Sequence, residues 1–228
     1  MSSRRSYGSY NDGCAAAHAL DLIGERWTLI VVRELLLGPK RFADLQRDIL
    51  GISPTVLSQR LRDLEARGIA VRRTLPAPAR VDVYELTPWG SKLEAVNAAL
   101  SLWAVDSPDL PWDADMSPDT LVLAMRAHAR ADAGSSAPAR VVLRLSDSRI
   151  AGADPVTYTA YVSHEGARVE QESPAGPIDA EVDATTAGWK ACVLGQAPLA
   201  DMPDVRVTGS MAAVEALLRA TGMESAAS

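Results

Sequence analysis

The feature that most constrains the fold is a break in periodicity at residues 105–118. This segment is rich in proline and holds four aspartates, at positions 106, 109, 113 and 115. Proline removes a backbone donor and clashes with the preceding helical turn, so a helix cannot continue through the segment. The apolar pattern is helical before it and mostly alternating after it. In a chain of 228 residues this predicts two domains, residues 1–104 and 119–228, joined by a linker at 105–118.

The two predicted domains differ in the sign of their net charge. The whole chain carries −6, but residues 1–104 hold 14 Lys and Arg against 11 Asp and Glu, which is +3 and leaves −9 for the rest. Because a polyanion is attracted to the positive part, nucleic-acid binding is predicted for the first domain.

Several classes of protein are disfavoured by composition. The most apolar stretch, residues 27–37, is interrupted by Arg33 and Glu34, so no membrane span is expected. The first thirteen residues lack the apolar core of a secretion signal, which favours a cytoplasmic protein. Cys14 and Cys192 lie far apart without metal-ligand spacing, so neither a disulfide nor a metal site is predicted.

The first domain has the pattern of a winged helix-turn-helix. Glycines separate apolar helical repeats at residues 14–23, 27–37, 41–48, 53–67 and 88–104. Between the last two lie short runs rich in Val, Arg and Tyr, residues 69–75 and 80–86, joined by a Pro-Ala-Pro sequence that predicts a hairpin. Three helices, a hairpin and a further helix predict this fold.

The fourth helical segment has two distinct faces. Ser53-Pro54 is a strong helix start, and three leucines at helical spacing form the apolar face. The opposite face carries only hydrogen-bonding side chains, which base edges in a major groove require. We therefore predict DNA contacts from Ser53, Thr55, Ser58, Gln59 and Arg62. The alternative is a polar face that is only solvated.

Three arginines lie in the predicted hairpin. Arg72, Arg73 and Arg80 stand near its proline-rich tip, where they would contact phosphates and position the protein on DNA. The alternative is that they are solvated surface arginines.

The first domain resembles the HxlR family of bacterial regulators. The resemblance implies a homodimer that packs through the first and last helices of this domain, binds a pseudo-palindromic operator in double-stranded DNA and often represses a neighbouring gene. It rests on Ala19-Leu20-Asp21-Leu22-Ile23-Gly24, Arg26-Trp27-Thr28, Arg33-Glu34-Leu35, Phe42-Ala43-Asp44-Leu45, Ile52-Ser53-Pro54, the run from Leu57 to Glu65, and Tyr84-Glu85-Leu86-Thr87-Pro88 with Gly90.

Cys14 lies where many members of that family keep a cysteine that senses oxidants or electrophiles. In this chain the first domain has no second cysteine, and a second domain is available for sensing. A small buried hydrophobe is the other interpretation of Cys14, and we favour it from the sequence.

The second domain has an α+β pattern. Helices are predicted at residues 119–131, 186–194 and 211–220, and strands at 140–145, 156–162, 168–172, 180–183 and 205–208, with a turn at 164–166. It resembles the sterol-carrier-like domain, an α/β sandwich, which implies an apolar cavity for a small hydrophobic ligand. The alternative is a filled core that only stabilises the dimer. The resemblance rests on Asp183-Ala184, Trp189, Leu194-Gly195, the run from Val205 to Gly209, Ala213, Leu217 and Leu218.

No catalytic constellation is present in the sequence. His18, His128 and His164 are scattered, and no phosphate-binding glycine loop occurs, so neither an enzyme nor a cofactor is predicted. The leading hypothesis is a ligand-responsive DNA-binding regulator, a repressor above all. The alternatives are a thiol-based regulator acting through Cys14, and a lipid or small-molecule carrier that uses the winged helix only to dimerise.

Overall fold

A computed structural model describes residues 9–131 and 138–222 of the chain. By their internal contacts the residues divide into two units, Met1–Asn97 and Ala98–Ser228. The division falls inside a helix, earlier in the chain than the boundary expected after Ala104. No helix in the described ranges is long and apolar enough to cross a membrane.

The first unit begins with four helices. They are α1 (Ala15–Ile23), α2 (Thr28–Leu35), α3 (Phe42–Asp48) and α4 (Pro54–Ala66). Gly51, in the turn between α3 and α4, has a φ of +83°, a conformation in which glycine meets no Cβ penalty. One core holds the helices together, and its fully buried members include Val31, Leu45, Leu57 and Leu61.

A two-stranded antiparallel ribbon follows α4. Strands β1 (Ala70–Thr74) and β2 (Asp82–Leu86) pair from Ala70 with Leu86 to Thr74 with Asp82. Lys40, between α2 and α3, adds an isolated bridge to Tyr84. The expected helix at residues 88–104 is instead a short 3-10 helix, Gly90–Lys92, followed by α5 (Leu93–Ala104).

The second unit is a five-stranded sheet with three helices. They are α6 (Pro118–Ala127), α7 (Thr186–Val193) and α8 (Met211–Thr221), and a 3-10 helix covers Leu199–Asp201. The strands are β3 (Ala139–Ser146), β4 (Val156–Ser163), β5 (Gly166–Glu170), β6 (Ala180–Thr185) and β7 (Val205–Gly209). Their order is β5-β4-β3-β6-β7, with β3 and β6 parallel and every other pair antiparallel.

One face of the second unit's sheet is buried beneath helices, and the other carries charged side chains beside the buried Val142 and Thr159. Val141, Leu143 and Leu145 alternate along β3 and are completely buried beneath the helices. The residues between them include Arg144, which pairs with Glu181 and Asp183 on the neighbouring strand. This alternation is that of a two-layer α+β unit.

Candidate nucleic-acid interface

The start of α4 is fixed by its capping residue. The backbone N–H of Val56 donates to Ser53 Oγ at 3.3 Å, and Pro54 occupies the first helical turn. The hydroxyl satisfies one N–H that has no partner within the helix. Ser53 therefore defines the N-terminal end of α4, the part of a recognition helix that reaches base edges.

The two predicted faces of α4 are present in the structure. Leu57, Leu61 and Leu64 are buried in the core of the first unit. On the opposite side Thr55, Gln59 and Arg62 are exposed and Ser58 is half-buried. The leucine stripe thus anchors a helix whose polar side chains remain accessible to a ligand.

Side chains on the exposed face of α4 are linked to one another. Arg62 Nη2 donates to Gln59 Oε1 at 2.7 Å, and Gln59 Nε2 donates to Asp63 Oδ1 at 2.8 Å. These i,i+3 and i,i+4 bonds lie along the helix surface. Base contacts by Gln59 and Arg62, as predicted from the sequence, would require these bonds to be exchanged for bonds to the bases. The sequence-based prediction overlooked Asp63, although its i,i+4 spacing from Gln59 is a usable signal.

The structure does not bring the three predicted arginines of the hairpin onto one surface. Arg72 and Arg73 are consecutive in β1, so their side chains leave opposite faces of the ribbon. Arg80 is exposed in the connection between the strands, with a φ of +42°.

Acidic residues of β2 pair with two of these arginines. Arg72 Nη2 lies 2.5 Å from Asp82 Oδ2, and Arg73 Nε lies 2.8 Å from Glu85 Oε2. The hydroxyl of Thr74 and the guanidinium of Arg72 hold the pKa of Asp82 below its ordinary value. The prediction of phosphate contacts missed these acids, because their pairing depends on a strand register that the hairpin sequence does not specify.

A buried ionic cluster joins α2, α3 and the ribbon. Lys40 Nζ donates to Glu34 Oε2 and to Asp48 Oδ2, both at 2.9 Å, while Arg33 Nη2 donates to Glu34 Oε1. Burial opposes ionisation of Glu34, but Lys40 and Arg33 outweigh it and hold its pKa below the ordinary value. Because the backbone of Lys40 also bonds to Tyr84, the cluster fixes the ribbon against the helices that support α4.

Cys14 is exposed, so the interpretation of this residue as a buried hydrophobe is wrong. It occupies the N-cap position of α1. The backbone N–H groups of Ala17 and then Ala16 favour the thiolate and lower the pKa of the thiol. Position in the helix was visible in the sequence, but exposure depends on which segments pack over it.

Two further kinds of site were sought among the described residues: a cluster of metal ligands and a cleft for a small molecule. In the described ranges, no three His, Cys, Asp or Glu side chains come together as a metal site. The second unit does contain a cleft of about 800 Å³ between α7, β7 and α8.

The first unit is that of a winged helix-turn-helix, DNA-binding transcriptional regulator: α3, a tight turn and a capped α4 with an accessible polar face, followed by a ribbon. The profile of HxlR-like helix-turn-helix proteins matches residues 22–109. Two curated relatives come from Bacillus subtilis (strain 168). The uncharacterized HTH-type transcriptional regulator YvaP is 35% identical over 89 residues, which cover 39% of this chain and 82% of YvaP. The HTH-type transcriptional regulator YodB is 39% identical over 87 residues, covering 38% of this chain and 77% of YodB.

Solved structures are similar over the same share of the chain. The reduced form of YodB from B. subtilis is 34% identical with a TM-score of 0.39, covering 42% of this chain and 95% of that one. The redox regulator HypR in its oxidized form is 31% identical with a TM-score of 0.39, covering 42% and 100%. The chain belongs to the HxlR family of transcriptional regulators. The profile match ends at residue 109, so it does not describe the unit that carries α6 to α8.

Proposed function

We propose that this HxlR-family regulator is a homodimeric, sequence-specific repressor whose second unit senses a small hydrophobic ligand. The observation that carries DNA recognition is the accessible polar face of α4, anchored by three buried leucines and a serine cap. Arg and Gln on that face have the donors and acceptors for bidentate contacts to guanine and adenine. Such a protein acts in the compartment that holds the DNA, so we assign it to the cytoplasm.

Exposed apolar side chains support dimerisation through α1 and α5. Leu20 of α1 is exposed, and no residue of α5 is fully buried. On α5, Val96, Leu100, Leu102 and Trp103 are all exposed, and Trp103 retains 78% of its accessible surface. Exposed apolar patches of this kind mark protein interfaces. A two-fold dimer presents two copies of α4 to half-sites about 34 Å apart, which explains a pseudo-palindromic operator.

The fold of the second unit supports a sensor of the sterol-carrier-like type. Its helices cover one face of the sheet, and its cleft has aliphatic walls. With a predicted net charge of −9, residues 105–228 are poorly suited to holding phosphates. Effector binding is therefore the role we assign to this unit.

Selection of operator DNA from a random pool by the full chain tests recognition. We expect an inverted repeat. Arg62→Ala should cost about 1–3 kcal/mol on the selected DNA and relax its sequence preference, because a base contact is lost. Arg80→Ala should weaken binding to all DNA comparably, and Arg144→Ala, on the sheet of the second unit, serves as a control. Footprints that place α4 outside the major groove, or an absence of selected sequence, would defeat the proposal and favour a carrier that uses the winged helix only to dimerise.

Removal of residues 105–228 tests the sensor role. A hydrophobic compound that alters operator affinity of the full chain should leave the truncated protein unaffected. The ligand changes affinity only by the difference between its affinities for two states of the protein, commonly about 1–3 kcal/mol. A truncated protein that still responds contradicts a sensor in the second unit.

A thiol-based regulator is the second candidate function, and exposure of Cys14 with its lowered pKa favours it. YodB and HypR, the latter a redox regulator, are similar to the DNA-binding half. Under this alternative, diamide or a quinone abolishes operator binding by the wild type and not by Cys14→Ser. Equal responses of the two proteins reject the alternative.

A further inference from the structure

The cleft of the second unit lies between the end of α7, the 3-10 helix, β7 and α8. Its volume is about 800 Å³. Cys192 and Val193 line it from α7, Val205 and Val207 from β7, and Leu218 from α8. Small-molecule sites are commonly clefts of about 300–1,000 Å³. The cleft therefore has the size of a site for a single small molecule.

The lining of the cleft is mostly aliphatic. Val193 is completely buried, and Val205, Val207 and Leu218 are half-buried. Of the polar residues in the lining, Gln196, Glu215 and Arg219 are exposed, and Arg130 is half-buried with its guanidinium on the carbonyl of Gly222. Burial, with the charge of Asp204, raises the pKa of Cys192 to about 11, so its thiol is neutral and belongs to the apolar wall.

Helix α7 also holds the segment that precedes α6. Lys190 retains 9% of its accessible surface, and its ammonium donates to the carbonyls of Trp112 and Ala114, the latter at 2.7 Å. A buried ammonium with two carbonyl acceptors has lost water and gained fixed partners, so breaking these bonds is costly.

A second set of bonds reinforces the same connection. Thr186, the first residue of α7, lies 2.7 Å from Ser148 Oγ, which donates to Asp115 Oδ2 at 2.9 Å. Residues 112–115 are thus tied to the middle of α7 through Lys190 and, by way of Ser148, to its first residue. Helix α5 ends at Ala104, and the chain runs from there directly into this segment.

We propose that the cleft binds a predominantly aliphatic small molecule and that α7 transmits its occupancy to residues 105–115 through Lys190. This inference rests on the proposed sensor function and assigns its site and route. Cys192 lines the cleft from α7, and Lys190, two residues earlier in the same helix, holds the segment that continues from α5. Lys190 is a positioning residue. A shift of α7 on binding moves the two carbonyls with it.

Titration of the full-length protein with the apolar dye Nile red, followed by fluorescence, tests the site. Val207→Trp fills the cleft and should weaken dye binding by about tenfold or more, since contact inside the pocket is lost. Ile178→Trp is the matched control, because Ile178 is an exposed apolar residue of the same unit outside the cleft lining. Met211→Glu, a change at the exposed first residue of α8, should also weaken binding without disturbing the core. No binding to the wild type, or equal binding to Val207→Trp, Met211→Glu and the control, overturns the site.

Hydrogen exchange of the amides in residues 105–115, with and without Nile red, tests the route. The dye should change exchange there in the wild type. Lys190→Met, which keeps the buried stem and removes the ammonium, should bind the dye equally well and lose that change. If the dye changes hydrogen exchange in residues 105–115 equally in Lys190→Met and in the wild type, transmission through Lys190 is wrong. Neither the dye titration nor the exchange experiment uses DNA. A negative result in either one can therefore be told apart from a protein that selects no operator, and from a truncated protein that still responds to the ligand.

Discussion

Glu34 shows how one residue of the DNA-binding half couples burial to charge. Its side chain is completely buried, and the cations of Arg33 and Lys40 lie against its two oxygens. An unpaired carboxylate in this position would retain the full cost of leaving water. The pairing also explains why a glutamate is compatible with a helix whose neighbouring side chains, Val31, Val32 and Leu35, form core.

We predict that Glu34→Gln lowers the free energy of unfolding by about 1–3 kcal/mol, because Lys40 and Arg33 lose a charged partner in a buried site while Lys40 keeps Asp48. Urea unfolding of the full chain measures the effect. Glu25→Gln is the control, since the side chain of Glu25 is 68% exposed and should change stability by less than about 1 kcal/mol. Equal effects of the two substitutions would show that the buried cluster is not a source of stability.

The lowered pKa of Glu34 sets the direction of a pH dependence. Its pKa in the folded state lies below the ordinary value of 4.5, so its contribution is fully present above that value. As the pH falls from 4.5 through the folded-state pKa, the folded chain must take up a proton and the contribution is lost. Wild type should therefore lose more stability than Glu34→Gln in this acid range. Parallel pH profiles of unfolding would contradict the assignment.

The two cysteines should differ in reactivity. Cys14 is exposed with a lowered pKa, whereas Cys192 is buried with a pKa raised to about 11. Since the thiolate is the nucleophile, iodoacetamide at neutral pH should label Cys14 first. Mass spectrometry of the native protein measures the order, and Cys14→Ser should remove the fast phase. Equally rapid labelling of Cys192 in folded protein would refute it.

At the scale of elements, the junction between β2 and α5 depends on close backbone approach. The hydroxyl of Thr87 donates to the Gly68 carbonyl at 2.8 Å and accepts from Gly90 N–H at 3.0 Å. A Cβ at Gly90 would lie 2.0 Å from the carbonyl oxygen of Ile69. The glycine is needed for space, and it lets the chain turn from the ribbon into α5.

Gly90→Ala should destabilise the chain by about 1–3 kcal/mol or more, because a backbone oxygen cannot move aside as a flexible side chain would. Thermal unfolding measures the change, and Lys92→Ala, at an exposed position of the same turn, is the control. An unchanged melting temperature for Gly90→Ala would mean that the junction adapts freely.

Particular elements show what the sequence could predict. The helix-turn-helix was predictable because leucine spacing, Ser53-Pro54 and glycines all indicate the same helices. The 3-10 start of α5 was not, because it follows from the approach of Gly90 to Ile69, which is tertiary. Strand β5 was expected at residues 168–172 and forms at Gly166–Glu170, since pairing with β4 fixes the register.

The polar face of α4 could be predicted from the sequence, whereas the ion pairs of the ribbon and the exposure of Cys14 could not. The polar face of α4 follows from periodicity alone and is present. Ion pairing of Arg72 and Arg73 follows from the pairing of two strands, and exposure of Cys14 follows from packing. The predicted linker is also held to α7 by Lys190, a bond between residues more than seventy positions apart in the chain.

At the scale of the whole molecule, the DNA-binding half and the half proposed to sense a ligand carry opposite net charges. The positive half attracts the phosphate backbone, and the negative half disfavours contact with it. The proposed dimer would double the attraction to the phosphate backbone and would match a symmetric operator. Helix α5 contains the division between the two units. Dimerisation through α5 would therefore involve residues of both units.

We predict that Leu100→Glu, in the middle of the exposed apolar surface of α5, converts the proposed dimer to a monomer. The charge would be buried at the interface without a partner. Light scattering coupled to gel filtration measures the mass, and operator affinity should fall with the loss of the second half-site contact. Ile178→Glu, at an exposed apolar position outside α5, should leave both unchanged. A Leu100→Glu protein that remains dimeric would place the interface elsewhere.

The parallel pairing of β3 with β6 bears on how the chain folds as it is synthesised. The register joins Val141 to Ala180 and Ser146 to Thr185, with β4 and β5 between them in the chain. Long loops must close before such pairs form, whereas the helices of the first half fold through local contacts. Domains generally fold in the order in which they leave the ribosome. A nascent chain thus acquires its DNA reader first, and the sheet that would control it is completed only when β7 emerges.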